Sequence, residues 1–210
     1  MTKSATKIDF KKELKELYKP SSKEVSVVEV PEMNFLMIDG SGDPSKTPDF
    51  ETAIEALYPL AFNLKFMSKL GDVALDYVVM PLEGLWWADD MSAFTEGRRD
   101  EWKWTLMIMQ PEFVTKAMFD EAVEKVRKKN APAKLDAVRF ERYEEGSAVQ
   151  ILHIGPFDEE GPNVMRLHAK IDELEKAPAL KHHEIYLSDP RRTAPEKLKT
   201  VLRQAMRLQK

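Results

Sequence analysis

The chain has 210 residues, 43% of them hydrophobic and 32% charged, with a formal net charge of −4 and no cysteine. That is enough chain for one large packed domain or two small ones, in an ordinary globular composition. The mild negative charge and the lack of any basic stretch interleaved with aromatics argue against a nucleic-acid partner. The missing cysteines exclude disulfides, thiolate metal sites and cysteine nucleophiles.

The N-terminal stretch MTKSATKIDFKKELKELYK has lysines but no apolar segment leading to a small-residue cleavage site, so no signal peptide is expected. No run approaches the roughly 18 apolar residues of a membrane span. The expectation is a cytoplasmic protein without membrane contact, a monomer or weak homodimer.

In chain order, residues 8–18 place Phe10, Leu14 and Leu17 at helical spacing, and Pro20-Ser21-Ser22 stops that helix. Residues 25–30 (VSVVEV) and 34–39 (NFLMID) read as strands separated by Pro31. The following Gly40-Ser41-Gly42-Asp43-Pro44 is a turn without the spacing of a phosphate-cradling loop. Residues 49–70 form a helix on Ala53, Leu57, Leu60, Leu64 and Met67, interrupted by Pro59 and ended by Gly71.

Residues 74–80 (ALDYVVM) predict a strand, followed by PLEGLWW; residues 88–100 predict a surface loop; residues 101–110 (EWKWTLMIMQ) predict another strand. Thr115 is a candidate N-cap for a helix on Phe119, Val123 and Val126. Residues 130–137 read as a connection between halves. Residues 138–144 (VRFERYE) and 148–154 (AVQILHI) flank Glu145-Gly146-Ser147, the pattern of a hairpin. A helix on Val164, Leu167, Ile171 and Leu174 follows, then the strand HHEIYLS and a segment at 197–206 (KLKTVLRQAM) that fits a short helix or a closing strand.

The two halves share a grammar that favours the strand for that last segment. NFLMIDGSGDP, a helix, LDYVVMPLEG and WKWTLMIMQP match AVQILHIGPFDE, a helix, HHEIYLSDP and KLKTVLRQAM in order, though not in identity. The fold class expected is α+β: duplicated strand-helix-strand-strand units forming an antiparallel sheet, helices on one face, with a ligand cleft between the halves.

The stretch KHHEIYLSDPRR carries the chemistry. Glu184 and Tyr186 are two apart on a strand and therefore share a face. On an open sheet face Glu184 is simply solvated; facing inward, it is an acid in an aromatic setting that is costly to build. Tyr186 fits either a hydrogen-bond donor or a cross-strand packing residue. His182 and His183 point apart, His153 stands alone, and no third ligand has metal spacing, so neither a metal nor a cofactor is expected. Trp86, Trp87, Trp102 and Trp104 are all the tryptophans present. Trp87 and Trp104 are the candidate flat walls for stacking and cation–π contact, with Trp86 beside them. Alternation alone does not settle which member of each pair faces inward. Tyr143 and Phe140 lie on opposite faces of their strand, so one of them faces the concave side.

These blocks resemble the GyrI-like small-molecule-binding family, which includes effector domains of multidrug-responsive transcription regulators. HHEIYLSDPRRTAPEKLKT and AVQILHIGPFDE carry the match, with EVPEMNFLMIDGSGDP, EGLWW and WKWTLMIMQP adding to it. With no helix-turn-helix module in the chain, it is similar to the standalone branch. The resemblance implies an N-terminal helical extension over 1–24 and a GyrI-like domain over 25–210. The domain holds a first repeat at about 25–112, a connecting helix at about 113–130 and a second repeat at about 137–206.

It also implies an aromatic pocket with a central acid, matched by Glu184, that takes planar lipophilic and often cationic small molecules. For standalone members it implies hydrolytic opening of cyclopropanes in DNA-alkylating compounds, as cellular protection. Glu184 and Tyr186 are then the catalytic candidates, with Trp87, Trp104, Trp86, Tyr143 and Glu83 binding the ligand. The alternative is a non-catalytic protein that binds or sequesters such compounds.

Overall fold

The computed structural model describes residues 7–209. In chain order it contains the short helices α1 (Phe10–Glu13) and α2 (Lys15–Tyr18), strands β1 (Ser26–Val30) and β2 (Met33–Ser41), and helix α3 (Pro48–Leu70). Next come β3 (Glu83–Trp87), α4 (Ser92–Thr95), β4 (Lys103–Gln110), α5 (Lys116–Asn130) and β5 (Arg139–Tyr143). The chain closes with β6 (Gly146–Ile154), α6 (Gly161–Glu173), β7 (Lys176–Tyr186) and β8 (Lys199–Leu208). The repeated strand-helix-strand-strand order is therefore present as β2-α3-β3-β4 and β6-α6-β7-β8. All the ladders described are antiparallel, and the fold is α+β. Among the described residues no helix is long and apolar enough to cross a membrane.

The residues sort into two compact units. One holds residues 7–13, 33–80 and 88–143, with strand order β4-β2-β5. Its helix α3 starts with Pro at the first position, where the missing N–H costs nothing, and buries Ala53, Leu57, Leu60 and Leu64. The helix runs through Pro59, and Asn63 Nδ2 donates to the Pro59 carbonyl at 2.8 Å. Helix α5 is capped as the sequence predicts, Thr115 Oγ1 accepting from the Met118 N–H at 3.3 Å.

The strand predicted at 74–80 is not formed. Ala74 has φ +51° and Tyr77 makes only a single bridge, to Ile8. The side chains of α3 claim this segment instead: Ser68 Oγ donates to the Leu75 carbonyl at 2.7 Å, and Lys65 and Lys69 hold Asp76 at 2.6 and 3.0 Å. The strand that fills this place in the repeat is β3.

The second unit holds residues 14–32, 81–87 and 144–209, with strand order β1-β6-β8-β7-β3. The hairpin predicted around Glu145-Gly146 is a second correction. β5 pairs with β2, whereas β6 pairs with β1 and β8, so the two flanking strands are not partners. The Glu145 side chain is 1% exposed and its carboxylate turns inward to a buried charge cluster, which a two-residue hairpin turn does not require. The segment 197–206 is a strand, as the repeat suggested, and β8 pairs with both β6 and β7.

Register sorts the side chains of this unit onto two faces. On one, α6 packs Leu167 and Ile171 on Val149, Ile151, Leu202 and Met206. Leu202 lies directly opposite Glu184, and Thr200 opposite Tyr186.

The other face is charged, and its charges are enclosed. His183 sits between two carboxylates, Nδ1 2.8 Å from Glu145 Oε2 and Nε2 3.0 Å from Glu83 Oε2. Arg203 donates to Glu145 Oε2 at 2.9 Å, to Gln150 Oε1 at 3.0 Å and to the Leu17 carbonyl at 2.7 Å. Tyr18 donates to Glu83 Oε1 at 2.9 Å, and Gln150 Nε2 to the Glu16 carbonyl at 2.6 Å. The side chains of His183, Glu83, Glu145 and Arg203 are each 1% exposed. Two acids face two cations, so the cluster is neutral as a whole and joins the segment of α2 to β3, β6, β7 and β8.

Burial alone would depress His183, but the Glu145 and Glu83 carboxylates outweigh it and hold its pKa at about 9. Burial would raise Glu145, but His183 and Arg203 outweigh it and hold its pKa at about 2. A His pKa raised on folding contributes stability that is complete below the unfolded value near 6.5 and is lost as pH rises through 9. The Glu145 contribution is complete above the usual carboxylate range and is lost as pH falls toward 2.

His183→Ala leaves two buried carboxylates short of a cation and is expected to cost about 3–5 kcal/mol in denaturant unfolding at pH 7. Its unfolding free energy should also lose the wild-type decline between pH 6.5 and 9. An unchanged midpoint would show that the cluster does not hold the unit together.

Candidate functional site

Strand β7 carries the charge cluster on one side and the candidate site on the other, because His183 and Glu184 are neighbours in sequence and point apart. Glu184 lies opposite Gly84 of β3 and Leu202 of β8. Its side chain is 17% exposed, enough for a small molecule or a water to reach the carboxylate. Tyr186, on the same face, donates its hydroxyl to Glu184 Oε2 at 2.8 Å, and Trp86 Nε1 donates to the Tyr186 oxygen at 3.0 Å. Indole, phenol and carboxylate thus form a chain in which each donor fixes the next group.

Gly84 makes that chain possible. A Cβ at this position would stand 2.8 Å from Trp86 Nε1 and 2.9 Å from the Tyr186 hydroxyl oxygen. Any side chain would displace one of the two donors, so the glycine of EGLWW is required by close approach and not by a turn.

The wall of the site includes a residue the sequence reading did not single out. Phe157 follows Gly155-Pro156, is 42% exposed, and sets its ring edge-on to Tyr186 at 5.8 Å and 83°. The only signal in the sequence was an aromatic directly after a Gly-Pro turn. His153 braces that turn: its Nε2 is 3.0 Å from the Pro156 carbonyl and its Nδ1 3.1 Å from the Asn163 amide nitrogen. A carbonyl that can only accept and an amide that donates place the His153 proton on Nε2.

Burial pushes the Glu184 pKa up to about 7, with the Tyr186 hydrogen bond and the His183 charge pulling the other way. Burial also holds Tyr186 well above its usual range, with the neighbouring Glu184 charge adding to it. Burial and then the His183 charge hold His182 down to about 4, so at neutral pH it is an uncharged neighbour, its Nε2 3.7 Å from Glu184 Oε1. The arrangement offers an acceptor of protons or of cationic groups whose affinity is set near physiological pH, steadied by a phenol and flanked by aromatic rings.

Of the site residues proposed from sequence, the structure brings Glu184, Tyr186 and Trp86 together. Glu83 and Trp87 lie on the opposite face of the same ribbon. Glu83 belongs to the buried charge cluster, and the Trp87 ring is covered by Lys181 Nζ at 3.2 Å from its centroid. Trp104 and Tyr143 belong to the other unit. There Trp104 is fully buried against Gly40 and edge-on to Phe50 at 5.2 Å, while Tyr143 meets Phe35 at 6.3 Å. Trp102 stacks on Phe94 at 4.9 Å. Among the described residues no group of three or more His, Asp or Glu side chains could hold a metal ion.

The sequence model of the GyrI-like small molecule binding domain matches residues 23–203. Two solved structures from Listeria innocua are similar over 96% of this chain and all of theirs. One, an uncharacterized conserved protein, is 43% identical with a TM-score of 0.87. The other, described as a hydrolase, is 42% identical with a TM-score of 0.84. The C-terminal domain of EcmrR shares the fold at 10% identity, with a TM-score of 0.54 over 89% of this chain and 98% of that one. No curated protein matches the sequence.

Gly84→Ala should move Tyr186 away from Glu184 and cost about 1–3 kcal/mol in stability through overpacking. Denaturant unfolding measures the cost, and the tryptophan emission of the folded variant reports the displaced indole. Wild-type values for both would mean that the close approach at Gly84 is relieved without disturbing the donors.

Proposed function

Because the chain belongs to the GyrI-like small-molecule-binding family, we propose that it binds planar lipophilic small molecules, cations among them, on the aromatic face around Glu184. We further propose that it opens the cyclopropane of DNA-alkylating compounds with water, which would protect a cell from them. The observation that carries this reading is Glu184 itself, a largely enclosed but reachable carboxylate with a pKa of about 7, oriented by Tyr186, which Trp86 holds in turn. The Listeria innocua protein described as a hydrolase supports a hydrolytic role at 42% identity.

The chemistry asks for a base near neutrality, water held in one place and a flat binding surface. The planar part of the substrate lies against the exposed ring of Phe157 and the adjoining Tyr186. Glu184 takes a proton from water as the water oxygen bonds to the strained ring carbon. The ring C–C bond breaks, and its electron pair passes through the conjugated system to the carbonyl oxygen, which takes a proton from solvent. Glu184 returns its proton to solvent, and the product is the substrate plus one water.

Tyr186 has a narrower role here than direct activation of the carbonyl. Its hydroxyl proton is already engaged by Glu184, so it aims the base. Trp86, 5% exposed, acts by holding Tyr186 more than by offering a stacking face.

The test is incubation with a cyclopropane-fused dienone alkylator, with mass detection of a product heavier by one water. Glu184→Gln is expected to lower the rate by about 10²–10⁴ and Tyr186→Phe by less. Full activity in the Gln variant would remove Glu184 as the base. Tryptophan quenching with stoichiometric binding and no product from the wild type would instead establish sequestration.

A further inference from the structure

The chemistry above uses one carboxylate, yet a second, buried carboxyl lies within range of its charge. Glu160 follows the single turn Phe157–Glu159 and caps the start of α6, its carbonyl accepting from the Asn163 and Val164 N–H groups at 2.9 and 3.0 Å. The residue is only 6% exposed. The turn that delivers it is fixed twice: by His153 on Pro156 and Asn163, and by the Phe157 ring against Tyr186. Gly155, at φ +145°, permits the entry to that turn, a conformation L side chains rarely adopt.

No salt bridge neutralises Glu160 among the described residues. Its Oε1 has no hydrogen-bond partner, and the same holds for Thr200 Oγ1, which is fully buried opposite Tyr186 on the same face. Thr200 is near enough to steady a negative charge on Glu160 but is not in bonding geometry with it. A lone buried carboxylate with an idle oxygen is costly, whereas a neutral carboxyl beside an ionised one is a stable arrangement.

We propose that Glu160 is the second carboxyl group of this site, and that it and Glu184 hold one proton between them, Glu160 keeping it while Glu184 carries the charge. The proposal rests on Glu184 being the acid of the site, but not on whether the ligand is hydrolysed or only held. Glu160 acts through Glu184 and is a positioning residue: it confines a single negative charge to the carboxylate that Tyr186 orients.

The groups facing the pair leave the proton with it. Tyr186 is a donor to Glu184, and His182 on the same strand is uncharged at neutral pH. His153 on β6 has both ring nitrogens engaged. Asp158 and Glu159, on the same turn, are exposed. On α6, Arg166 turns to Asn163 and to the Lys23 carbonyl, and His168 is exposed. The two acids are pushed apart in strength, burial and then the Glu184 charge raising Glu160 to about 9 while Glu184 lies at about 7. Such a separation keeps the shared proton on Glu160 and the charge on Glu184.

A site with this pair passes from neutral through singly negative to doubly negative as pH rises, the first charge falling on Glu184. It therefore suits neutral planar ligands at low pH and one cationic centre at physiological pH.

Carboxyl-carbon NMR titration of glutamate-labelled protein, free of ligand, tests the pair directly. The signal lost in Glu184→Gln should show two inflections in the wild type, near pH 7 and near pH 9, and one in Glu160→Gln. Thr200→Val, which keeps the shape and removes the hydroxyl, should move the upper inflection higher. A Glu160 signal titrating in the ordinary carboxyl range, or two unchanged inflections in Glu160→Gln, would overturn the proposal.

Quenching of tryptophan by ethidium, a planar monocation, provides the second readout. Its affinity should rise through both inflections in the wild type and lose the upper rise in Glu160→Gln, with little difference between the two proteins at pH 7.5. A large loss of affinity at pH 7.5 in Glu160→Gln would show Glu160 ionised there and would also overturn it. Ethidium failing to bind at all would count against the binding reading of the site, while the ligand-free titration still decides the pair.

Discussion

The contact on which the rest depends is the imidazole of His183 held between Glu83 and Glu145, with Arg203 closing the charge balance. A buried cluster of this kind gains little over well-packed apolar residues, but removing one member leaves an uncompensated charge in a dry place. It therefore fixes position more than it adds stability. Glu83 is on β3, Glu145 leads into β6, His183 is on β7 and Arg203 on β8, so the cluster pins four strands in one register. Tyr18 and the Leu17 carbonyl add the N-terminal segment. Once His183 is committed to this face, strand alternation delivers Glu184 to the other.

The two faces of β7 place neighbouring residues in opposite electrostatic settings. His183 is surrounded by acids and kept charged; Glu184 is buried beside the Tyr186 phenol and the neutral His182 imidazole, and its charge is disfavoured. Raised carboxylate pKa values lower stability as pH climbs past the ordinary carboxylate range, so the Glu184 face costs stability where the His183 face supplies it. That is a common arrangement for a working site, which a stable scaffold carries as a local defect.

Much of this was legible in the residues, and the failures have physical reasons. Alternation in HHEIY put Glu184 and Tyr186 on one face, and the repeat grammar chose a strand for the closing segment. Alternation also said that His182 and His183 point apart, but not which of them meets the acids, because Glu83 and Glu145 lie 100 and 38 residues away. The apparent hairpin at Glu145-Gly146 looked like local turn chemistry; the inward pull on Glu145 comes from Arg203 and His183, which local pattern does not contain. Similarly ALDYVVM has strand composition, and only the lysines and serine of α3 explain why its backbone never joins a ladder. The paired tryptophans were ambiguous from the start, since adjacent residues on a strand take opposite faces. The structure assigns Trp86 to the Glu184 side and leaves Trp87 under Lys181. Glu160 carried no signal at all, being one acid among the DEE of an exposed-looking turn.

The most direct test is the protonation of the two adjacent histidines, read from side-chain 15N chemical shifts across pH. The sequence has four histidines, so assignment by single substitution is practical. His183 should show two protonated nitrogens at pH 8 and titrate near 9, while His182 should remain a neutral imidazole down to about pH 5. If His183 instead loses its proton near 6.5, the usual value for an unperturbed histidine, it is not held between two ionised carboxylates and the account of this strand is wrong.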